Sequence, residues 1–582
     1  MPAASPDQLE ALLTQFKTLG GYIHPSINFQ ISSEKGIHAI YNCTEPLKAD
    51  PQTPTEIIKV PDELTLSIKL AEEVFGVSVF PTGNRNGLLL FLLAKLRFDP
   101  GETFAGEEIL SQKFRNYLDI LPTGREIGTP LFWDADERDL IYGTDAISNM
   151  NNAMPTFIEE WYRVVNRLPK QLRPESFAED LKFYENFKKT RNNFKPEQYV
   201  SYYNNPTSWT SFPAYLWAYA ILTSRGFPYF VNPKNSARDV NEAVLIPVWD
   251  LLNHNITASI EWEFNDTTYD FKVKEPLNSG DEVLNNYGAK NNETLLLNYG
   301  FVLEKNEADS AGITLAIPAD IPVSEALAFG LKLKTHQVSY TLDKLHRFPD
   351  ELPDLLAYLV KTREEKALTL RNKLKGIEQL EVILQSKIEI LKNKPNPKAG
   401  SLNSNYVKAA KIYKNTQRYF FQMALEETLK LEKSLLKKYK PLSFKTVYKN
   451  DTRFANAVLL SFGIEDYEKL SATDDIKHAL LLWVIRVGNK KQVAKDQQAN
   501  LPEWIYERYQ HLLKTYTVDS SQVREFAGYF KSMEPVLRKV PEVFQVGDWN
   551  LRAFVIADAF ISECTFTREV NNEVFFLHDA RL

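Results

Sequence analysis

The spacing of apolar residues changes twice along the chain, and that change limits the fold more than any single motif does. Short strand-like pieces at Phe29–Ile31, Ile37–Tyr41 and Glu56–Val60 are separated by polar or proline-containing turns. The pattern is one of small β-units in place of a long parallel sheet. From about Ile68 to Arg225 helical spacing takes over, broken by loops rich in Pro, Gly and Asn around Pro122–Pro130 and Asn204–Pro213. Strand character returns at Val244–Val248, Ser259–Phe264, Phe271–Val273 and Glu282–Asn285. After Glu304 the period is mainly 3.6, predicting long charged helices over Leu355–Lys392 and Tyr406–Lys440, joined by the turn-prone stretch Asn393–Asn405. Glu573–Leu577 reads as an edge strand or a tail contact. At the N-terminus, Ser5 as cap, Gln8 three residues later, apolar Leu9, Leu12, Leu13 and Phe16, and Gly20 as a stop predict a first helix.

With 582 residues, 44% of them apolar, the chain can bury large cores in about two domains. The apolar stretches Leu88–Ala94 and Ala214–Leu222 fall short of the ~20 residues that span a bilayer, so no membrane partner is expected. No basic segment followed by an apolar run opens the sequence, and secretion is not expected. Cys43 and Cys564 are the only cysteines, too few for a disulfide framework or a Cys-rich zinc cluster, which points to a reducing compartment. The net charge of −6 hides an asymmetry: residues 361–450 hold 21 Lys+Arg against 8 Asp+Glu. Such a run is first the solvated face of long helices. Its functional reading is a docking surface for an acidic partner, with protein recognition first and nucleic acid only incidental.

The chemistry concentrates in two segments. Ile246-Pro247-Val248-Trp249-Asp250-Leu251-Leu252-Asn253-His254 reads as an apolar strand with polar groups at its end. About thirty residues on, Gly280-Asp281-Glu282-Val283-Leu284-Asn285-Asn286-Tyr287-Gly288 reads as a turn feeding a strand that ends in Tyr-Gly, and a short helix then closes in Tyr299-Gly300-Phe301. If the strand ends meet, two tyrosines and several hydrogen-bonding groups converge, as they do at small-molecule sites.

These paired motifs resemble the SET-domain family, in particular the branch of Rubisco large-subunit methyltransferase and its relatives acting on ribosomal proteins and elongation factors. Glu34-Lys35-Gly36-Ile37-His38-Ala39 is similar to the family's first cofactor-contacting turn, with Lys35 in place of a second glycine. Pro122–Thr144 is similar to the branch's helical insert, and Trp217-Ala218 followed by Ser224-Arg225-Gly226-Phe227 to the stretch that closes over cofactor and target side chain. The resemblance implies an α+β SET fold of small β-sheets, residues 1–310, with a helical insert at about 72–235, and a mostly α-helical C-terminal substrate-recognition lobe, 311–582.

It also implies protein-lysine N-methylation with S-adenosyl-L-methionine as cofactor and a ribosomal protein or elongation factor as protein partner, by a monomer in the cytoplasm and, secondarily, the nucleus. Tyr287 takes the catalytic position. Glu34, Lys35, Gly36, Arg225, Asp250, Asn253, His254 and Tyr287 are the implied cofactor contacts, with the planar fork of Arg225 suited to a carboxylate. Ser224, Phe227 and Tyr299 line the implied channel for the target lysine, and no metal is implied. The alternatives are a histidine-directed enzyme and a catalytically silent SET adaptor. Against the first, Phe227 stands where a histidine-modifying relative carries a polar amide; against the second, the Asn-His pair and the terminal tyrosine are intact.

Overall fold

A computed structural model describes residues 4–78, 84–99, 107–233, 241–362, 365–392, 402–568 and 571–578. The chain divides into two compact units, Met1–Ser310 with Ile390–Arg418, and Ala311–Glu389 with Tyr419–Leu582. The first unit opens with the helix Pro6–Thr18. Ser5 Oγ accepts from Gln8 N, and the Gln8 side chain accepts from Ser5 N at 2.8 Å, the reciprocal cap expected from the sequence. Leu9, Leu12 and Phe16 are its buried stripe.

The strands of this unit form small antiparallel sheets. One is ordered Tyr22–Ile23, Thr55–Pro61, Thr268–Val273, Ile260–Asn265. A second pairs the hairpin Ile27–Ser32/Gly36–Tyr41 with Glu282–Val283, and a third joins Phe227–Pro228 to Ala243–Val244. Between the early and late strands lies the helical run from Ile68 to Arg225. The helix Gly87–Phe98 is apolar on every face and is correspondingly buried at Leu88 through Ala94. Its one buried cation, Lys95, reaches Asp99 at 2.9 Å and lies 5.0 Å from the ring centroid of Trp209. The helix Phe212–Arg225 is buried on nearly all faces too, and its last turn carries Ser224 and Arg225 to the site.

Two glycines seat the insert on the late strands. Gly128 and Gly300 both have positive φ, +86° and +76°. A Cβ on Gly300 would lie 1.9 Å from the carbonyl oxygen of Ile127, and one on Gly128 would lie 2.7 Å from the carbonyl oxygen of Gly300. Thr129 Oγ1 donates to the Leu297 carbonyl at 2.8 Å across the same seam.

The second unit is mostly helical. Its core joins the helices Asp475–Gly488 and Leu551–Cys564 through Trp483, Ile485, Phe554 and Phe560, all essentially inaccessible to solvent. Three sequence expectations are corrected. Leu355–Lys392 is not one helix but two, Glu351–Leu359 and Leu370–Lys392. The break follows from local side-chain bonds that compete with helix hydrogen bonds: Thr369 and Asn372 cap each other, and Glu365 accepts from Thr362 N and from Thr369 Oγ1. Glu573–Phe576 is not an edge but the middle strand of a sheet ordered Leu442–Ser443, Glu573–Phe576, Thr565–Arg568. The predicted strand Val244–Val248 stops at Val244 for a reason given below. The second long helix runs Ser404–Tyr439, and residues 393–401 of the turn-prone stretch lie outside the described residues.

Gly300→Ala is expected to lower stability by at least about 1 kcal/mol, through the left-handed backbone and the collision with Ile127 together. Gly280→Ala shares the positive φ but has open space at its Cβ, and is expected to cost less. Thermal unfolding of the two variants side by side checks this; equal losses would show that the Ile127 contact yields without cost.

Candidate active site

The two chemistry-bearing segments meet through backbone. Asn285 N donates to the Asn253 carbonyl at 2.7 Å, and Asn255 N donates to the Asn285 carbonyl at 2.9 Å, a single parallel bridge centred on His254 and Asn285. The approach to this crossing is bent. Val248, fully buried, has φ +75°, a conformation a β-branched residue adopts only when its surroundings impose it. One 3-10 turn, Trp249–Leu251, follows. The extended run therefore ends early, and Asp250 sits in a turn at the cavity wall instead of at a strand end.

Three rings stack at the crossing. His254 lies on Tyr287 with centroids 4.8 Å apart and planes at 14°, and Tyr287 lies on Tyr299 at 5.2 Å and 16°. Tyr287 N donates to His254 Nδ1 at 3.0 Å, which requires that nitrogen to be unprotonated. Burial lowers the His254 pKa, the Asn285 backbone opposes this, and the Lys290 charge adds to it, so the ring is neutral at neutral pH. Tyr287 donates its hydroxyl to the Leu252 carbonyl at 2.7 Å. Burial pushes its pKa well above the ordinary phenol value. The group is a neutral hydrogen-bonding phenol, not a phenolate. Tyr299 ends a π-helical turn, Leu295–Tyr299, that Gly300 stops in the left-handed conformation.

Arg225 and Asp250 form the polar side of the same junction. Arg225 Nη1 donates to the Asp250 carbonyl at 3.0 Å and to its Oδ2 at 3.2 Å, and the buried Tyr117 hydroxyl donates to Oδ2 at 2.9 Å. Asp250 Oδ1 is buried with no hydrogen-bond partner. Burial raises the Asp250 pKa, with Arg225 and Tyr117 opposing it. On the other flank, Asn253 Nδ2 donates to the Lys35 carbonyl at 3.2 Å and to Glu282 Oε1 at 2.9 Å, while Lys35 Nζ pairs with Glu282 Oε2 at 2.6 Å. Asn253 thus ties the hairpin turn, which Gly36 closes at φ +66°, to the strand beside it.

Two cavities open on this junction. One, of 320 Å³, is lined by the hairpin turn (Ser32, Lys35, Gly36) and by Asn253. The other, of 540 Å³, is lined by Phe227, Ile260, Trp262, Asn285 and Lys290. Ser224, Arg225, Asp250, Tyr287 and Tyr299 line both. The shared residues make the wall through which a group bound on one side can reach a group bound on the other. Of the residues expected from sequence, Glu34 and His254 line neither cavity; Glu34 is exposed, and His254 stands behind Tyr287. Sequence reasoning missed Tyr117, Glu282, Asn285 and Trp262. Trp262 turns to the second cavity from a strand opposite Phe271, its indole N–H on Asn285 Oδ1 at 3.2 Å, and meets Phe227 edge to face at 5.3 Å. Alternation along Ser259–Phe264 could have marked Trp262 as one face of a strand; nothing in the linear pattern marks Tyr117.

The chain is similar to several known proteins. Residues 310–439 match the EFM1 middle domain. Over 592 residues the chain is 29% identical to protein-lysine N-methyltransferase EFM1 of Saccharomyces cerevisiae, covering 98% of each. It is 28% identical to ribosomal lysine N-methyltransferase 1 of the same yeast, over 97% of this chain and 99% of that one. Among solved structures, the SET domain of LSMT bound to methyl-lysine and AdoHcy superposes with a TM-score of 0.52 at 15% identity, over 74% of this chain and 93% of that chain. At that identity the likeness speaks for the fold.

A protonated His254 would set a donor against the Tyr287 N–H. Its folded pKa lies below the unfolded value, so the unfolded chain takes up the proton first and stability is lost as pH falls from about 6.5 through the folded pKa. A His254→Gln variant, which keeps an acceptor but cannot titrate there, is expected to lose less on acidification than the wild type. Thermal unfolding between pH 7.5 and 5 measures the difference; parallel pH curves would count against the assigned tautomer.

Proposed function

The chain is a SET-domain protein-lysine methyltransferase, and from that premise we propose that it belongs to the Rubisco large-subunit methyltransferase-like branch and that its target is a component of the translation machinery, a ribosomal protein or an elongation factor. The observation that carries the enzymatic reading is the pair of cavities sharing one wall of Tyr287, Tyr299, Ser224, Arg225 and Asp250. A transfer between two separately bound molecules needs such an arrangement. The names of the yeast relatives, both aligned over nearly their whole length, support the target class.

S-adenosylmethionine, when bound, would supply a sulfonium methyl whose carbon an uncharged amine can attack in line, the N–C bond forming as the C–S bond breaks, the neutral thioether leaving and the positive charge passing to nitrogen. The first cavity fits it: Lys35, Gly36 and Asn253 offer backbone and amide groups there. Arg225 keeps guanidinium nitrogens besides Nη1 that no described residue engages, suited to a carboxylate. Asp250 lines both cavities, and its buried Oδ1 has no hydrogen-bond partner, so the carboxylate places a negative charge behind the wall that a cationic guest would face.

The second cavity prepares the amine. Phe227, Ile260 and Trp262 exclude water from the target side chain, and desolvation disfavours its charged form, moving a lysine down from about 10.4 toward loss of its proton. Tyr287 and Tyr299 present stacked faces and hydroxyls at the wall. Because Tyr287 already donates its proton to Leu252, its oxygen is free to accept and so to orient the incoming N–H. Asp250 and Arg225 fix the opposite side of the wall. We assign the catalytic position to Tyr287, the methionine-side contacts to Arg225 and Asn253, and recognition of a folded target to the C-terminal residues 311–582.

Tyr287→Phe is expected to fold, to bind S-adenosylmethionine, and to lose turnover by about 100-fold, the scale of one positioned hydrogen bond in an active site. Full activity in that variant would remove Tyr287 from the catalytic position. The target is tested by incubating the full chain and labelled S-adenosylmethionine with extract from cells lacking it, then identifying the labelled band and residue by mass spectrometry. Methyl-lysine in a ribosomal protein or elongation factor is expected; label confined to other proteins would overturn the target class.

A further inference from the structure

We propose that Lys290 selects targets in which an acidic side chain flanks the lysine to be methylated. The inference rests on the methyltransferase reading above and specifies its substrate.

The charged residues of the amine-binding cavity are Arg225, Asp250 and Lys290. Arg225 and Asp250 offset each other, 3.2 Å apart on the shared wall. Lys290 has no such partner: no ion pair among the described residues includes it. Its position is nevertheless held. The Lys290 carbonyl accepts from Asn306 Nδ2 at 2.8 Å, and the same amide of the buried Asn306 reaches Asn292 Oδ1 at 3.2 Å. The ammonium folds back along the chain, 4.0 Å from where a Cβ on Gly288 would stand, and Gly288 directly follows Tyr287. Its charge is felt as far as the His254 ring behind that tyrosine.

An unpaired cation in this place acts on the substrate in two opposed ways. It repels a second ammonium, which helps the target lysine to lose its proton once inside. The same repulsion opposes arrival of that lysine in its charged form, in a cavity where Phe227, Pro228, Ile260 and Trp262 supply apolar wall and no countercharge. A carboxylate next to the target lysine resolves the conflict. It pairs with Lys290 on docking, cancels the repulsion on approach, and leaves the amine itself in the dry part of the cavity. A basic neighbour would meet like charge, the commoner source of discrimination at charged interfaces.

The test uses the full chain, S-adenosylmethionine and short acetylated peptides with one lysine, differing only in Asp, Asn or Lys on either side of it. Peptides that differ at one flanking position isolate the charge effect from contacts made elsewhere by a whole protein target. In the wild type, kcat/KM is expected to be about 10-fold higher for the Asp peptides than for their Lys counterparts, a difference that shrinks as salt rises. Lys290→Glu is expected to reverse the order and Lys290→Met to flatten it; the second variant keeps the test decisive if the first fails to fold. The same ranking in wild type and variants overturns the proposal. So does the absence of any preference in the wild type, or failure to methylate every peptide by a chain that binds S-adenosylmethionine. A wild type that does not bind S-adenosylmethionine overturns instead the reading on which the proposal rests.

Discussion

Two backbone hydrogen bonds at Asn285, one to the Asn253 carbonyl and one from Asn255 N, carry the consequences for everything around them. They join segments thirty residues apart by a single bridge, next to the short ladder that Glu282–Val283 makes with the hairpin. The strained φ of Val248, the stack of His254 on Tyr287 and the hydroxyl bond from Tyr287 to Leu252 all lie within a few residues of this bridge. Each fixes the crossing from a different direction. Removing one leaves the others in place but lets the rings turn, which is why the geometry of Tyr287 belongs to the whole crossing and not to Tyr287 alone.

The arrangement also explains where polarity is tolerated. A carboxylate as buried as Asp250 is costly unless paired, and here Arg225 and Tyr117 share one of its oxygens while the other is left bare. Structural pairs elsewhere in the chain are better satisfied. Asp451, as deeply buried, accepts from Arg486 with both oxygens, and its Oδ1 also caps the helix Thr452–Phe462. The two carboxylates differ in that one keeps a bare oxygen at a cavity wall and the other has both oxygens engaged inside the scaffold.

Much of this was legible in the residues. The cap at Ser5, the short strands, the helical run after Ile68 and the convergence of Asn253 with Tyr287 follow from periodicity, capping chemistry and the two motifs. What was not legible depends on contacts across the fold. Tyr117 sits on an ordinary amphipathic helix face, and only the tertiary structure brings its hydroxyl to Asp250, 133 positions away. Glu282 reads as a surface residue of a strand, yet it receives Asn253 and Lys35 together. Val248 fits a strand by every local preference, and the strain at that position is visible only in its backbone angle. The break near Thr369 is the exception, since the Thr-x-x-Asn cap and Glu365 stand in the sequence, outweighed there by a strong helical period on both sides.

The charge economy of the first unit ties these points together. At the wall shared by the two cavities and directly behind it, each titratable group is neutral or offset: His254, behind Tyr287, by burial, Tyr287 by burial and its bond to Leu252, Arg225 and Asp250 by each other. A wall with little net charge of its own does not stabilise a charged ground state on either side, which suits a reaction in which positive charge moves from a sulfur to a nitrogen. The uncompensated charge of the second cavity is on Lys290, beside Gly288. On the proposal made for Lys290, discrimination between targets and positioning of the reacting atoms would fall to different residues of the same cavity.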